Sequence, residues 1–181
     1  MARYAAGDDG AFHGLFALLA PRIRAFFLRS FSDSTVADDL MQTTFLKLHS
    51  ARTTYRPELP LKPWLFTIAA SVRRDELRRR YRLPPQVSDS EIEESESGAA
   101  VAPAEPQYGD SPRADVVRAA IMRLPESQRV VLHLHCYEEM TFDQIAAALG
   151  TTPAAVRVRA SRAYERLRVV LRVHLGPTET S

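Results

Sequence analysis

Residues 84–112 carry seven acids, five of the chain's twelve prolines and five serines, with no lysine or arginine. Their only sizeable apolar side chains are Val87, Ile92, Val101 and Tyr108. So little apolar surface cannot offset the entropy of ordering so long a stretch, and the composition predicts a flexible acidic linker. It divides the 181 residues into two basic modules, 1–83 with net charge +6 and 113–181 with +3, against −7 for the linker. Each module is small for a self-supporting core, which favours compact helical bundles over sheets. No segment alternates strictly enough for a strand, and no repeat of roughly 20 to 50 residues is visible. The expected fold class is all-α: two small helical domains joined by the linker.

Several function classes drop out. The single cysteine, Cys136, cannot form an internal disulfide, and no Cys-x-x-Cys pair exists to hold zinc or exchange thiols. His133 and His135 would point about 200° apart on a helix, so they cannot chelate together. No apolar run approaches the roughly 18 residues of a membrane span. The chain starts with Asp8 and Asp9 where a secretory signal would have a basic end and an apolar core. The expectation is a cytoplasmic protein without membrane insertion. A glycine-rich phosphate loop, a nucleophile elbow and a metal-ligand helix are all missing, so no enzyme, no cofactor and no metal are expected.

In the first module Phe12, Leu15, Phe16, Leu19, Ile23, Phe26 and Phe27 recur at helical steps, with Pro21 a kink or restart. Asp33 or Ser34 can cap a second helix with the apolar face Ala37, Leu40, Met41, Thr44, Phe45 and Leu48. Its other face carries Asp38, Asp39, Gln42 and Thr43; the two acids also suit a helix's first turn. After a polar loop over 52–62, Pro63 opens a third helix that buries Trp64, Leu65, Ile68, Ala69 and Val72. Its far end is rich in arginine, which suits either a solvated helix terminus or a nucleic-acid contact.

In the second module helices over 116–124 and 126–137 break at Pro125. Thr141 and Gln144 form a capping box, Gly150 ends that helix, and Thr152-Pro153 supplies a new cap and a pre-set first residue. Ile145, Leu149 and Val156 would seal the corner of a helix-turn-helix. The last helix has an apolar back, arginine flanks and a small front end, Ala154 and Ala155, shaped to approach DNA closely.

These residues resemble the sigma-70 family of bacterial RNA polymerase sigma factors, in its compact extracytoplasmic-function group. The first module is similar to the second sigma region through Ala37-Asp38-Asp39-Leu40-Met41-Gln42-Thr43-Thr44-Phe45 and Pro63-Trp64-Leu65-Phe66-Thr67-Ile68-Ala69. The second is similar to the fourth region through Leu124-Pro125-Glu126-Ser127-Gln128-Arg129, Tyr137-Glu138, Leu149-Gly150 and Ser161-Arg162-Ala163. The chain departs from the family at Ala70-Ser71, commonly Arg-Asn, and at Thr43, often an acid.

The resemblance implies that Asp38, Asp39, Gln42 and Thr43 dock on core RNA polymerase. It implies that Lys62, Ser71, Arg73, Arg74, Arg78 and Arg79 capture the minus-10 promoter element. Thr141, Thr152, Ala154, Ala155, Arg157, Val158, Arg159, Arg162 and Arg166 would read the minus-35 element. Further partners implied are promoter DNA and an anti-sigma factor, with a monomer when free or a 1:1 complex with that inhibitor. The linker would thread the polymerase's product-RNA path, so the two domains must be tethered but need not pack together. The alternative is a helix-turn-helix regulator acting without core-polymerase exchange, which leaves the first module's acidic face unexplained.

Overall fold

The computed structural model describes residues 1–82 and 112–175; the expected linker lies outside them apart from Pro112. All regular elements among the described residues are helical. A short α1 (Ala2–Ala5) precedes α2 (Ala11–Phe31) and α3 (Ser34–Ala51). A 3-10 turn (Arg52–Thr54) leads through a loop to α4 (Leu61–Tyr81). The second domain comprises α5 (Pro112–Met122), α6 (Glu126–Leu132) running into a π turn (His133–Tyr137), α7 (Phe142–Leu149) and α8 (Pro153–Leu175).

Local chemistry sets most of these boundaries. Asp33 caps α3 by accepting from the Val36 amide at 3.1 Å. Since α3 begins at Ser34, Asp38 and Asp39 lie beyond its first turn, and the macrodipole reading of these acids fails. Pro21 does not restart α2, which runs unbroken from Ala11 to Phe31. The residue is exposed, and so is Ala17, whose carbonyl the proline cannot satisfy, so the lost bond opens to water. α4 starts two residues earlier than expected, with Pro60 at the cap and Pro63 in the first turn, where a missing N–H costs nothing. Trp64 is half-buried at the edge of the core, 5.1 Å from the Tyr55 ring.

The two domains, tethered but under no obligation to touch, do pack together. α2 contacts α6, and α4 contacts α7. Ile23, Phe26, Phe27, Leu65 and Phe66 of the first domain share one buried cluster with Val130, Leu134, Ile145 and Leu149 of the second. Contrary to the expectation from the sequence, one apolar stretch does approach the length of a membrane span. With a mean hydropathy of 1.3 over its apolar window, α2 is long and apolar enough to span a bilayer. Here Leu15, Leu19, Ile23, Phe26, Phe27 and Phe31 are buried, in a helix that contacts α3, α4 and α6, while Leu18 stays exposed and Arg22, Arg24 and Arg29 are half-buried.

Candidate nucleic-acid and protein-docking surfaces

The polar face of α3 is a patch of unequal members. Asp39 and Gln42 are exposed, one turn apart. Asp38 is half-buried and paired with Arg24 Nε at 2.6 Å, and the Thr43 hydroxyl donates back to the Asp39 carbonyl at 2.9 Å. Beside Gln42 opens an apolar groove of about 520 Å³ between Phe12, Phe16, Phe45 and Leu46, rimmed by Asp9 and His49. Leu46 is 70% exposed and Phe16 37%. The helical repeats place Phe12, Phe16 and Phe45 on apolar faces, whereas Leu46 falls outside the repeat Ala37, Leu40, Met41, Thr44, Phe45, Leu48 and so belongs to the polar face of α3. α1 lines the groove through Tyr4, which is buried, sets its ring tilted against Phe12 with centroids 5.3 Å apart and hydrogen-bonds His49 Nδ1.

The helix-turn-helix forms as its caps dictate. The Gln144 amide donates to Thr141 Oγ1 at 3.2 Å, and the Thr141 amide to Gln144 Oε1 at 3.0 Å. Gly150 adopts φ 68°, ψ 37°, and the Ala155 amide donates to Thr152 Oγ1 at 3.2 Å. Ile145, Leu149 and Val156 are buried at the corner. The front of α8 presents exposed Thr152, Ala154, Arg157, Val158 and Arg162, with Ala155 half-buried among them. Thr141 is exposed at the start of α7. Two arginines differ from the expected flank. Arg159 is only 7% exposed, and Arg166 Nη1 donates to Gln128 Oε1 at 3.3 Å.

The minus-10 candidates lie along α4, and most are engaged by the chain itself. Lys62 Nζ donates to the Glu138 carbonyl at 3.0 Å and Arg74 Nη1 to the Leu149 carbonyl at 2.8 Å. Arg73, 5% exposed rather than solvated, donates through Nε and Nη2 to the Glu126 carboxylate. Arg79 grips Glu76 at 2.7 and 2.9 Å, while Ser71 and Arg78 are half-buried. Burial pushes the Glu76 carboxyl up, but its hydrogen bonds from Arg79 and Arg80 outweigh this and hold it below the ordinary value. In the sequence Glu126 and Glu138 stand out only as members of the family patterns. Their ionic partners lie more than fifty residues away, beyond any local period.

His133 sits where the domains meet, with ring centroids 5.9 Å from Phe26, 6.3 Å from Phe66 and 5.6 Å from Tyr137. Burial, then the charges of Arg29 and Arg22, push its pKa down from 6.5 to about 3. Glu138 Oε1 stands 3.8 Å from Nε2, yet that carboxylate is already matched by Arg22 at 2.8 Å, so burial wins. The unfolded chain protonates this ring near pH 6.5 and the folded chain only near 3, so between those values the unfolded state binds more protons. Stability supplied by the neutral ring is full above pH 6.5 and falls as pH drops below it. Urea denaturation should show a loss of about 2 kcal/mol between pH 7 and pH 5. His133→Phe should abolish that loss; an identical pH dependence in the variant would show that other groups cause it.

His135 goes elsewhere: its Nδ1 lies 3.0 Å from the Met140 carbonyl and its ring 4.6 Å from Phe142. Cys136 is exposed, with Sγ 3.3 Å from the Tyr164 hydroxyl.

Two helical domains, the second a capped helix-turn-helix with an exposed, cationic front, define a DNA-binding transcription protein. The chain belongs to the sigma-70 family, in its extracytoplasmic-function group: residues 15–83 match "Sigma-70 region 2" and residues 114–167 match "Sigma-70, region 4". It is 36% identical to the RNA polymerase sigma factor CarQ of Myxococcus xanthus, over 94% of this chain and 95% of CarQ. It is 29% identical to the ECF RNA polymerase sigma factor EcfG of Rhodopseudomonas palustris, over 88% and 87% of the two chains. Among solved structures it is similar to the sigma factor RpoE in complex with the anti-sigma factor NepR from Bartonella quintana, with TM-score 0.69 and 27% identity, covering 91% of this chain and 98% of that one. CnrH in complex with the cytosolic domain of CnrY gives TM-score 0.63 and 26% identity, covering 96% and 95%. The family consists of initiation factors, not enzymes.

Proposed function

We propose that this chain is a dissociable initiation subunit that binds core RNA polymerase and directs it to promoters. The observation that carries this reading is the presence of both sigma regions, in order, in a chain that aligns over 95% of CarQ. Asp39 and Gln42, with Asp38, Thr43 and the adjoining Phe16 and Leu46 groove, form the polymerase-facing surface; its acids and apolar side chains suit a basic amphipathic partner. Lys62, Ser71, Arg73, Arg74, Arg78 and Arg79 capture the minus-10 strand through phosphate contacts. The exposed front of α8 reads the minus-35 duplex, with Ala154, Ala155 and Val158 at the groove and Arg157 and Arg162 at base edges or backbone. Residues 84–112 join the two domains along the enzyme's product-RNA path.

The protein acts in the cytoplasm, as a monomer when free or 1:1 with an anti-sigma factor, a partner supported by the complexes of its structural relatives. Run-off transcription with purified core polymerase tests the proposal. The chain should make core initiate at a defined start site on a genomic promoter template. Binding of the same DNA without any start would favour a helix-turn-helix regulator.

A further inference from the structure

Arg79 and Arg80 leave α4 side by side near its C-terminal end, and one carboxylate holds both. Arg79 donates through Nε to Glu76 Oε2 at 2.7 Å and through Nη2 to Oε1 at 2.9 Å. Arg80 donates through Nε to Glu76 Oε1 at 2.8 Å, and its guanidinium lies over the Phe31 ring, 4.6 Å from the centroid. The Glu76 side chain is 5% exposed, whereas Arg79 is 77% exposed and Arg80 37%. We propose that Glu76 is a positioning residue for promoter DNA, a buried carboxylate that sets Arg79 and Arg80 as a fixed pair of phosphate-binding forks. The proposal rests on the minus-10 role proposed for Arg79 and adds Arg80 and Glu76 to it.

Ion pairs three and four residues apart on an exposed helix face contribute little, because water screens them and two long side chains must be ordered. Burial of the acid sets this group apart. Taking a carboxylate out of water costs free energy that an apolar side chain of similar size would not. Glu76 stays ionised all the same: burial raises its pKa, but the hydrogen bonds from Arg79 and Arg80 outweigh that and hold it below the ordinary value. Its helix neighbours Val72, Arg73 and Leu77 are buried too, so the carboxylate sits on the packed side of α4 while the arginines it grips reach the surface.

A guanidinium carries five N–H donors in a rigid plane. Arg79 uses Nε and one Nη2 hydrogen on Glu76, which leaves Nη1 and the outer Nη2 hydrogen as a second fork on the solvent side. Arg80 is held through Nε, so its two Nη groups form a similar fork, fixed from behind by the Phe31 ring. One acid against two arginines leaves the group cationic, and the acid orients the forks without cancelling them. A free arginine loses rotamer freedom when it binds phosphate; here that ordering is made on folding, so the contact is pre-organised. Glu76, Arg79, Arg80 and Phe31 all belong to the first domain, and the group is complete without the second.

The sign of one substitution decides the role of Glu76. An acid that only props the helix, or only stands near DNA, repels phosphate, and Glu76→Gln should then leave binding unchanged or tighten it. A positioning acid acts the other way, so Glu76→Gln should weaken binding although it removes a negative charge. The measurement is the Kd of holoenzyme, reconstituted from core polymerase and the full chain, for a labelled duplex carrying the promoter that supports run-off initiation, over a salt series. Glu76→Gln should bind roughly tenfold more weakly, with a salt slope lower by about 1. Glu76→Asp keeps the charge but draws the carboxylate back by one methylene, out of reach of both arginines at once, and should lose most of the same affinity. It serves should the glutamine variant disturb α4, and circular dichroism of each free chain reports the helix content.

Arg79→Ala combined with Arg80→Ala should weaken binding at least as much, and Glu76→Gln added to that pair should cause no further loss. Equal or tighter binding by folded Glu76→Gln overturns the positioning role. A further loss from Glu76→Gln when both arginines are already alanine also overturns it, because that loss runs through the fold. If both arginines can be removed with affinity unchanged, the proposal falls together with their DNA role. Run-off transcription by the same holoenzyme then shows separately whether the proposed function stands.

Discussion

Asp39→Arg should abolish co-elution with core RNA polymerase while leaving the helical content of the free protein intact. Asp39 is exposed on α3, past the first turn, so its carboxylate is not a helix cap and arginine is the better helix former there. The helix stays anchored by the Asp33 cap and by buried Ala37, Thr44, Phe45 and Leu48. Asp38 remains tied to Arg24, so the change alters the charge offered to a partner and little else. On the proposed reading that partner is basic, and a like charge set against it costs several kcal/mol. A loss of about 3 kcal/mol is roughly a hundredfold in affinity, enough to empty a co-elution peak. Unchanged affinity with folded variant would move the polymerase-binding surface away from α3.

Ala155→Glu should eliminate minus-35 binding and at the same time hold or raise the stability of α8. Ala155 is the third residue after the Thr152 cap, and its amide already donates to the Thr152 hydroxyl. A glutamate there completes a capping box and meets the positive end of the helix, both stabilising effects. The same carboxylate stands beside exposed Ala154 and Val158 on the front proposed to enter the major groove. It would meet phosphate charge and acceptor-rich base edges without a cation between them. Binding to a promoter duplex should fall by roughly two orders of magnitude, about 3 kcal/mol, with an unchanged or higher Tm. A variant that binds as the parent does would remove the groove-facing role from this end of α8, whatever its stability.

The parts of the fold written in short spacings were legible in the sequence. Thr141 with Gln144, Gly150, Thr152 and Pro153 set the helix-turn-helix because each cap satisfies backbone groups one turn away. Ile145, Leu149 and Val156 announced the buried corner through the same local period. The departures came where burial or solvent decided. Pro21 was tolerated because its face is wet, Leu46 was left exposed beside a groove assembled from three helices, and Arg159 was drawn into the body.

The sequence by itself determined the helices, their caps, the division into two basic halves and membership of a family whose patterns are runs of neighbouring residues. Only the tertiary structure decided what those halves do to each other. Arg73 and Glu126 are 53 residues apart, and Lys62 and the Glu138 carbonyl 76. No periodicity of 3.6 links such positions. Either arginine or glutamate, read alone, is equally a solvated surface charge. Their pairing follows from the docking of α6 and α7 on α2 and α4, a choice made by the shape of apolar surfaces such as Phe26, Phe66, Leu134 and Ile145. Burial then turns an unremarkable glutamate into the counter-ion of Arg73.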